Sequence, residues 1–267
     1  MPKQIVPPEL YNRDYYLNDC DGFREYLINP QAVVHDKFKR VVKHLNIEKG
    51  MNVLDIGCGR GELVIFCAQQ GANVLGLDYS KDAIALSRET VAKLPAEVQK
   101  RIQLEVAVAE EYTFSNLYDY VFMIETTEHM HDWQLRKLFG NLKMVLKPRG
   151  KIIITTPNLL YERYFEPFKR VLDIPFKAVK LLGRIPRGKY RPQSVRQFFK
   201  DVFRVRVSRG QVHEMMHCNV NTPRYMRDLL KDFHAQIFCE DHSINPLSLL
   251  LAKWFGRYLI VVASPPK

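Results

Sequence analysis

Three glycines at alternate positions, Gly57, Gly59 and Gly61, lie just after one carboxylate, Asp55, and ahead of another, Asp78. Glycines there let the backbone turn tightly and let a ligand approach without meeting a Cβ. A carboxylate at the end of a second strand can take both hydroxyls of a ribose, and Asp55 can serve a cationic amino group directly or through water. The dinucleotide fingerprint needs G-x-G-x-x-G, but Glu62 occupies the third glycine's place. No Lys-Ser/Thr pair follows the loop, which excludes a P-loop. A second group is Glu125, Glu128 and His129. Two carboxylates and an imidazole within one turn could hold a divalent metal that acidifies a hydroxyl. They could instead form a base, His129, with Glu128 as its orienter, or simply fix a loop. His217 adds a second base, a further ligand or an ordinary turn histidine. With His213 and Glu214 it mimics the HExxH zinc motif, although no helical pattern surrounds it.

These groups need elements to hold them. Met51–Ile56 is a short apolar run that reads as a buried strand, and Glu62–Ala68, closed by Gly71, as the helix after the loop. Asn73–Leu77 is a second strand ending in Asp78. Ser80 can cap a helix with Ala83, Ile84, Leu86 and Val91 on its apolar side, closed by Pro95. Further strands are expected at about 102–108, 120–124, 151–156, 235–240 and 258–263. A helix over Trp133–Leu146 is ended by Pro148-Arg149-Gly150, and another starts at Thr222-Pro223 and runs through Leu230. Val33, Val34, Phe38, Val41, Val42 and Leu45 recur at helical spacing, and residues 245–256 read as an apolar helical insert. The alternation predicts an α/β fold with a doubly wound, mostly parallel seven-stranded sheet. Residues 158–212 break the rhythm, mixing aromatics, prolines and basic residues in two or three short helices.

VLDIGCGRG, Val53–Gly61, and GLDYS, Gly76–Ser80, resemble the first two motifs of class I S-adenosylmethionine-dependent methyltransferases in content, order and spacing. The resemblance covers about residues 40–157 clearly and the tail more weakly. It implies a Rossmann-like fold, S-adenosylmethionine as cofactor, and cofactor contacts at Asp55, Gly57, Cys58, Gly59, Gly61, Asp78 and Tyr79. Such enzymes usually carry Gly-Asp-Ala after strand three, the Asp holding the adenine amino group. Here Val108 takes that place, leaving the backbone N–H of Ala109 and the carboxylate of Glu110 as substitutes. Glu125 to His129 resembles a Glu-x-x-Glu-His run. That run ligates a metal in ubiquinone-pathway O-methyltransferases and small-RNA 2′-O-methyltransferases, and occurs in many metal-free relatives. Glu125 is then expected near the methionine end, with His129, Glu128 and His217 as the catalytic candidates and the base preferred over the metal. His217 matches the histidine of a His-x-x-x-x-Thr-Pro run. Thr155-Thr156-Pro157-Asn158 lacks the Asn/Asp-Pro-Pro-Tyr/Phe signature of amino-directed nucleic-acid enzymes. The implied organisation is an N-terminal helical lid over 1–45, a core over 46–157 and 213–267, and an inserted basic cap over 158–212.

Composition narrows the partners. The net charge of +11 suggests an anionic partner or surface. Residues 158–210 hold fourteen Lys/Arg against four Asp/Glu, so ten of the eleven net charges fall in this one segment. Apolar residues there, among them Phe168, Val171, Leu172, Phe176 and Val179, interleave with Lys169, Arg170, Lys177 and Lys180. That pattern fits peripheral contact with an anionic membrane or an amphiphilic acceptor. A phosphate track for RNA is the alternative, and a non-catalytic cofactor-binding subunit a third reading. The five cysteines show no paired spacing and read as reduced thiols. The N-terminus has no apolar h-region, so a cytoplasmic location is expected.

Overall fold

The computed structural model describes residues 6–32, 35–42, 45–186, 191–203, 216–219, 221–240 and 256–266. Its strands are β1 (Asn52–Ile56), β2 (Asn73–Asp78), β3 (Ile102–Val106), β4 (Tyr118–Ile124), β5 (Leu146–Pro157), β6 (His234–Glu240) and β7 (Tyr258–Ser264). The described helices are α1 (Phe23–Ile28), α2 (Asp36–Val42), α3 (Glu62–Gln69), α4 (Lys81–Val91), α5 (Ala96–Gln99), α6 (Asp132–Val145), α7 (Glu166–Leu182), α8 (Val195–Phe203) and α9 (Pro223–Leu229). The strands form one sheet in the order β3-β2-β1-β4-β5-β7-β6. Pairing is parallel from β3 through β5, while β7 runs antiparallel to both β5 and β6.

Strand alternation sends successive side chains to opposite faces. Val53, Phe122 and Ile153 join α3 residues Leu63, Val64 and Cys67 in one buried cluster. Leu54, Val121, Ile152 and Val261 join Leu135, Leu138 and Leu142 of α6 in the other. A sheet covered on both faces explains why its strands read as near-continuous apolar runs.

Four elements differ from the sequence expectation. The helix over Trp133–Leu146 ends at Val145, and the chain passes directly into β5. Pro148-Arg149-Gly150 therefore lies within the strand, at an irregularity where Tyr118 pairs with Leu146 but Tyr120 with Lys151. Pro148 has no N–H for a regular ladder, and a Cβ on Gly150 would come within 2.7 Å of the Tyr118 carbonyl. Pro95 does not merely end α4 but caps the short helix α5. The third strand stops at Val106, so Ala107 and Val108 belong to the loop. In the basic segment α7 is a single helix of 17 residues containing Pro175, preceded by the helical turn Tyr161–Phe165. Val33, Val34, most of the 245–256 insert, and the side chains of Phe168, Lys169, Arg170, Leu172 and Phe176 lie outside what is described.

Before the sheet, Val6, Tyr11 and Tyr16 pack on Ala83 and Leu86 of α4 and on Met216. This seats the N-terminal segment on the carboxyl-end side of β1 and β2, where open α/β sheets bind ligands.

Candidate functional site

A cavity opens beyond the ends of β1, β2 and β4, and residues of the glycine loop, both aspartates and the N-terminal segment line it. Gly57, Gly59 and Gly61 all have positive φ, at 71°, 53° and 82°. A Cβ on Gly57 would lie 2.6 Å from the Thr126 side chain, so this turn admits only glycine. The loop's N–H groups are turned inward. Those of Gly57 and Cys58 donate to the Leu77 carbonyl, at 2.8 and 3.0 Å. That of Gly59 donates to the Asp78 carboxylate at 2.9 Å, and Ser80 N–H reaches its other oxygen at 2.9 Å. The loop thus offers a ligand space, while the aspartates offer charge.

That charge is costly to bury. Burial, with Asp78 and Glu62 near, pushes the Asp55 carboxyl up to about 8 against the pull of Lys37. Burial raises Asp78 to about 6, opposed by backbone N–H groups of Ser80, Gly59 and Tyr79. Cys58 is buried, and burial together with Asp78 and Asp55 raises its thiol, which leaves it an inert packing residue. Tyr79, Ala109 and Glu110 also line the cavity. The Glu110 carboxylate accepts from Gln134 Nε2 at 2.6 Å.

At the end of β4, Glu125 adopts φ 52°, the left-handed region that disfavours residues with a Cβ. Its carboxylate faces Lys37 Nζ at 3.5 Å. Glu128 is 1% exposed and accepts from Thr156 Oγ1 at 3.1 Å. Burial and Glu125 push its carboxyl up to about 8. Asn221 Nδ2 reaches Thr156 Oγ1 at 2.8 Å and Thr127 Oγ1 at 3.1 Å, a buried network behind the loop. His129 lines the cavity, and its ring meets that of His217 edge-on at 4.9 Å between centroids. One ligand atom each from Glu128, His129 and His217 lies within 4.8 Å of the others. The structure therefore groups His217, and not Glu125, with Glu128 and His129. His213 and Glu214 fall outside the described residues.

Three site residues were not singled out from the sequence. Lys37 of α2 is buried in the cavity wall, where burial opposes its charge but Glu125, Cys20 and Glu62 outweigh it and raise its pKa. Arg60, 2% exposed, donates to the carbonyls of Tyr16 at 2.8 Å and Asp21 at 3.1 Å, pairs with Glu62 at 2.9 Å, and lies over the Tyr26 ring. The Tyr11 hydroxyl sits 2.8 Å from His129 Nδ1. Each acts on a partner far away in the chain, which no local motif records. Residues before 30 include Tyr11, Tyr15, Tyr16 and Tyr26, too aromatic a stretch for a disordered tail, and that density was the signal the sequence held.

The chain resembles known proteins in sequence and in fold. Residues 24–239 match a family described as a methyltransferase domain. The ubiquinone biosynthesis O-methyltransferase of Rickettsia canadensis is 26% identical over 220 residues, covering 80% of this chain and 87% of that protein. The enzyme of the same name from Aliivibrio fischeri is 34% identical over 151 residues, 55% of this chain and 58% of its own. Among solved structures, the glycopeptide N-methyltransferase MtfA complexed with S-adenosylmethionine superposes with a TM-score of 0.53 at 16% identity, covering 86% of both chains. PH0226 from Pyrococcus horikoshii gives 0.54 at 20% identity, over 95% of this chain and 96% of its own. At those identities the structural likeness speaks for the fold alone. With most of its length matched and a Rossmann-like sheet around the glycine loop, the chain belongs to the methyltransferase domain family and is an S-adenosylmethionine-dependent enzyme of class I.

Proposed function

We propose that the enzyme transfers its methyl group to a hydroxyl oxygen of a small, amphiphilic acceptor, with His129 taking the hydroxyl proton. One observation carries this reading: His129 stands in the cavity wall beside His217 and the buried Glu128 carboxylate. The names of the two curated relatives, O-methyltransferases of ubiquinone biosynthesis, support oxygen as the acceptor atom. In the proposed complex Asp78 takes the ribose hydroxyls, and Ala109 and Glu110 serve the adenine. Asp55 and Glu125 serve the methionine amino end, with Lys37 at its carboxylate. The acceptor oxygen attacks the methyl carbon in line. The carbon–sulfur bond breaks with its electron pair staying on sulfur, and neutral S-adenosylhomocysteine leaves. The hydroxyl proton passes to the imidazole. The protein mainly supplies alignment, with general-base help.

The 4.8 Å grouping of Glu128, His129 and His217 favours a second reading. A carboxylate and two imidazoles suit a divalent cation, and a buried carboxyl raised to about 8 would exchange its proton for one. Bound there, such an ion would supply Lewis-acid activation of the acceptor hydroxyl. A chelator separates the two. Under the base reading, activity persists in chelator and His129→Gln lowers kcat by roughly 10²–10⁴-fold with cofactor affinity unchanged. Loss in chelator with recovery on Mg²⁺ or Zn²⁺ would replace the base with the metal.

The segment 158–212 is proposed as the acceptor cap, and its surface as the contact with an anionic membrane. Val171, Val179 and Val195 are 64%, 69% and 74% exposed, alongside exposed Lys177, Lys180, Arg184, Arg196 and Lys200. No described helix is long and apolar enough to cross a membrane. Mass spectrometry of methyl transfer to lipid extract and to total RNA tests the acceptor class. Methylated RNA with unchanged lipid would transfer the reading to a phosphate track.

A further inference from the structure

We infer that Tyr11 is the positioning residue of His129, so that the N-terminal segment completes the acceptor site. The inference rests on His129 being the reacting imidazole. Two oxygens meet His129 Nδ1: the Tyr11 hydroxyl at 2.8 Å and the Met216 carbonyl at 3.0 Å. A carbonyl only accepts, so Nδ1 carries the hydrogen and the neutral ring keeps its lone pair on Nε2. With that hydrogen on the imidazole, the Tyr11 hydroxyl accepts through a lone pair and completes the cradle of the Nδ1–H. The second nitrogen of a working histidine is usually fixed in this way, because the hydrogen bond at one nitrogen sets the tautomer at the other.

Tyr11 is held as a fixed part should be. It is buried, with its ring edge-on to both Tyr15 and His129 and tilted against Tyr79. Its carbonyl accepts from Ser80 Oγ at 2.6 Å, and the Ser80 N–H in turn holds Asp78. One short path thus joins the ribose carboxylate, the α4 cap, Tyr11 and His129. The N-terminal segment is anchored again by Arg60, through the carbonyls of Tyr16 and Asp21. His129 also has Glu128 on its own turn and His217 across from it. Neither of these reaches Nδ1 among the hydrogen bonds described.

Tyr11→Phe tests the idea, because it removes the hydroxyl while leaving the packed ring. Histidine ¹⁵N NMR on the intact protein reads which nitrogen carries the hydrogen and how fast it exchanges. Calorimetry reads cofactor affinity, and steady-state rates read kcat. Expected are a single Nδ1–H form with slow exchange in the parent and faster exchange with mixed tautomers in Tyr11→Phe. A kcat loss of about 10- to 100-fold should accompany it, with cofactor affinity within twofold. An unchanged His129 signal would overturn the proposal whatever the rate does, as would a kcat loss matched by lost cofactor affinity. A mixed tautomer with unchanged kcat would leave Tyr11's hold on His129 standing. It would remove His129 from the reaction, which is failure of the functional reading instead.

Discussion

Three of the buried carboxyls that face or flank the cavity have raised pKa values, and with a sulfonium cation bound there, as proposed, their protonation becomes part of binding. Asp55 and Glu128 are raised to about 8 and Asp78 to about 6, so near neutral pH the first two hold protons that exposed carboxyls would have lost. A raised acid binds its proton more tightly in the folded state. Its contribution to stability is therefore present at low pH and lost as pH climbs through about 6 for Asp78 and about 8 for the others. A cationic ligand favours the ionised forms and must expel protons. Cofactor binding at about pH 7 should release protons, read from calorimetry in buffers of different ionisation enthalpy, and affinity should rise from about pH 6 to 7.5, below the α-amino pKa of about 7.7–8.0. Asp55→Asn should remove part of the release. Binding with no proton release in the parent enzyme would take these carboxyls out of the cofactor's reach.

The loop that begins α3 has a second task besides making room. Arg60 stands between two of the loop glycines, and its guanidinium ties the N-terminal segment to the loop. Removing one member of a buried ion pair costs about 3–5 kcal/mol. Arg60→Ala should lower the melting temperature, speed cofactor dissociation in stopped flow and open the chain near residues 16–21 to limited proteolysis. Unchanged dissociation would separate the N-terminal segment from cofactor retention. This division also marks what the sequence made legible. β1, the three glycines, β2, Asp78 and the Ser80 cap all belong to one local run, and the structure places them accordingly. Tyr11 and His129, 118 positions apart, and Arg60 and Tyr16, 44 apart, meet only through the fold. Pro148 misled a boundary for a related reason. It was read as the end of a helix, but the chain passes from α6 straight into β5, where a strand irregularity accommodates the proline.

At the scale of the whole molecule, charge is segregated. The segment 158–210 carries ten of the eleven net charges, and its exposed apolar residues share that surface. Each basic residue near an anionic bilayer contributes on the order of 1 kcal/mol, and apolar insertion adds to it. The enzyme should sediment with anionic vesicles, not with neutral ones, and should detach as salt rises. Ser in place of Lys177, Lys180, Arg184 and Lys200 should abolish sedimentation while cofactor affinity stays. Binding to RNA but never to vesicles would reverse the assignment. The sheet order carries a different consequence, for biogenesis. β6 precedes β7 in the chain, yet among the described strands β6 pairs with β7 alone, over seven positions, while β7 bridges to β5 over six. A ribosome therefore delivers β6 before β7, its partner in the described sheet, exists. Until β7 is made, β5 presents an open edge in the described sheet and β6 lacks the strand it pairs with. This end of the sheet should therefore close only once β7 is made, and a nascent chain paused between the two strands should aggregate more readily than one released after β7.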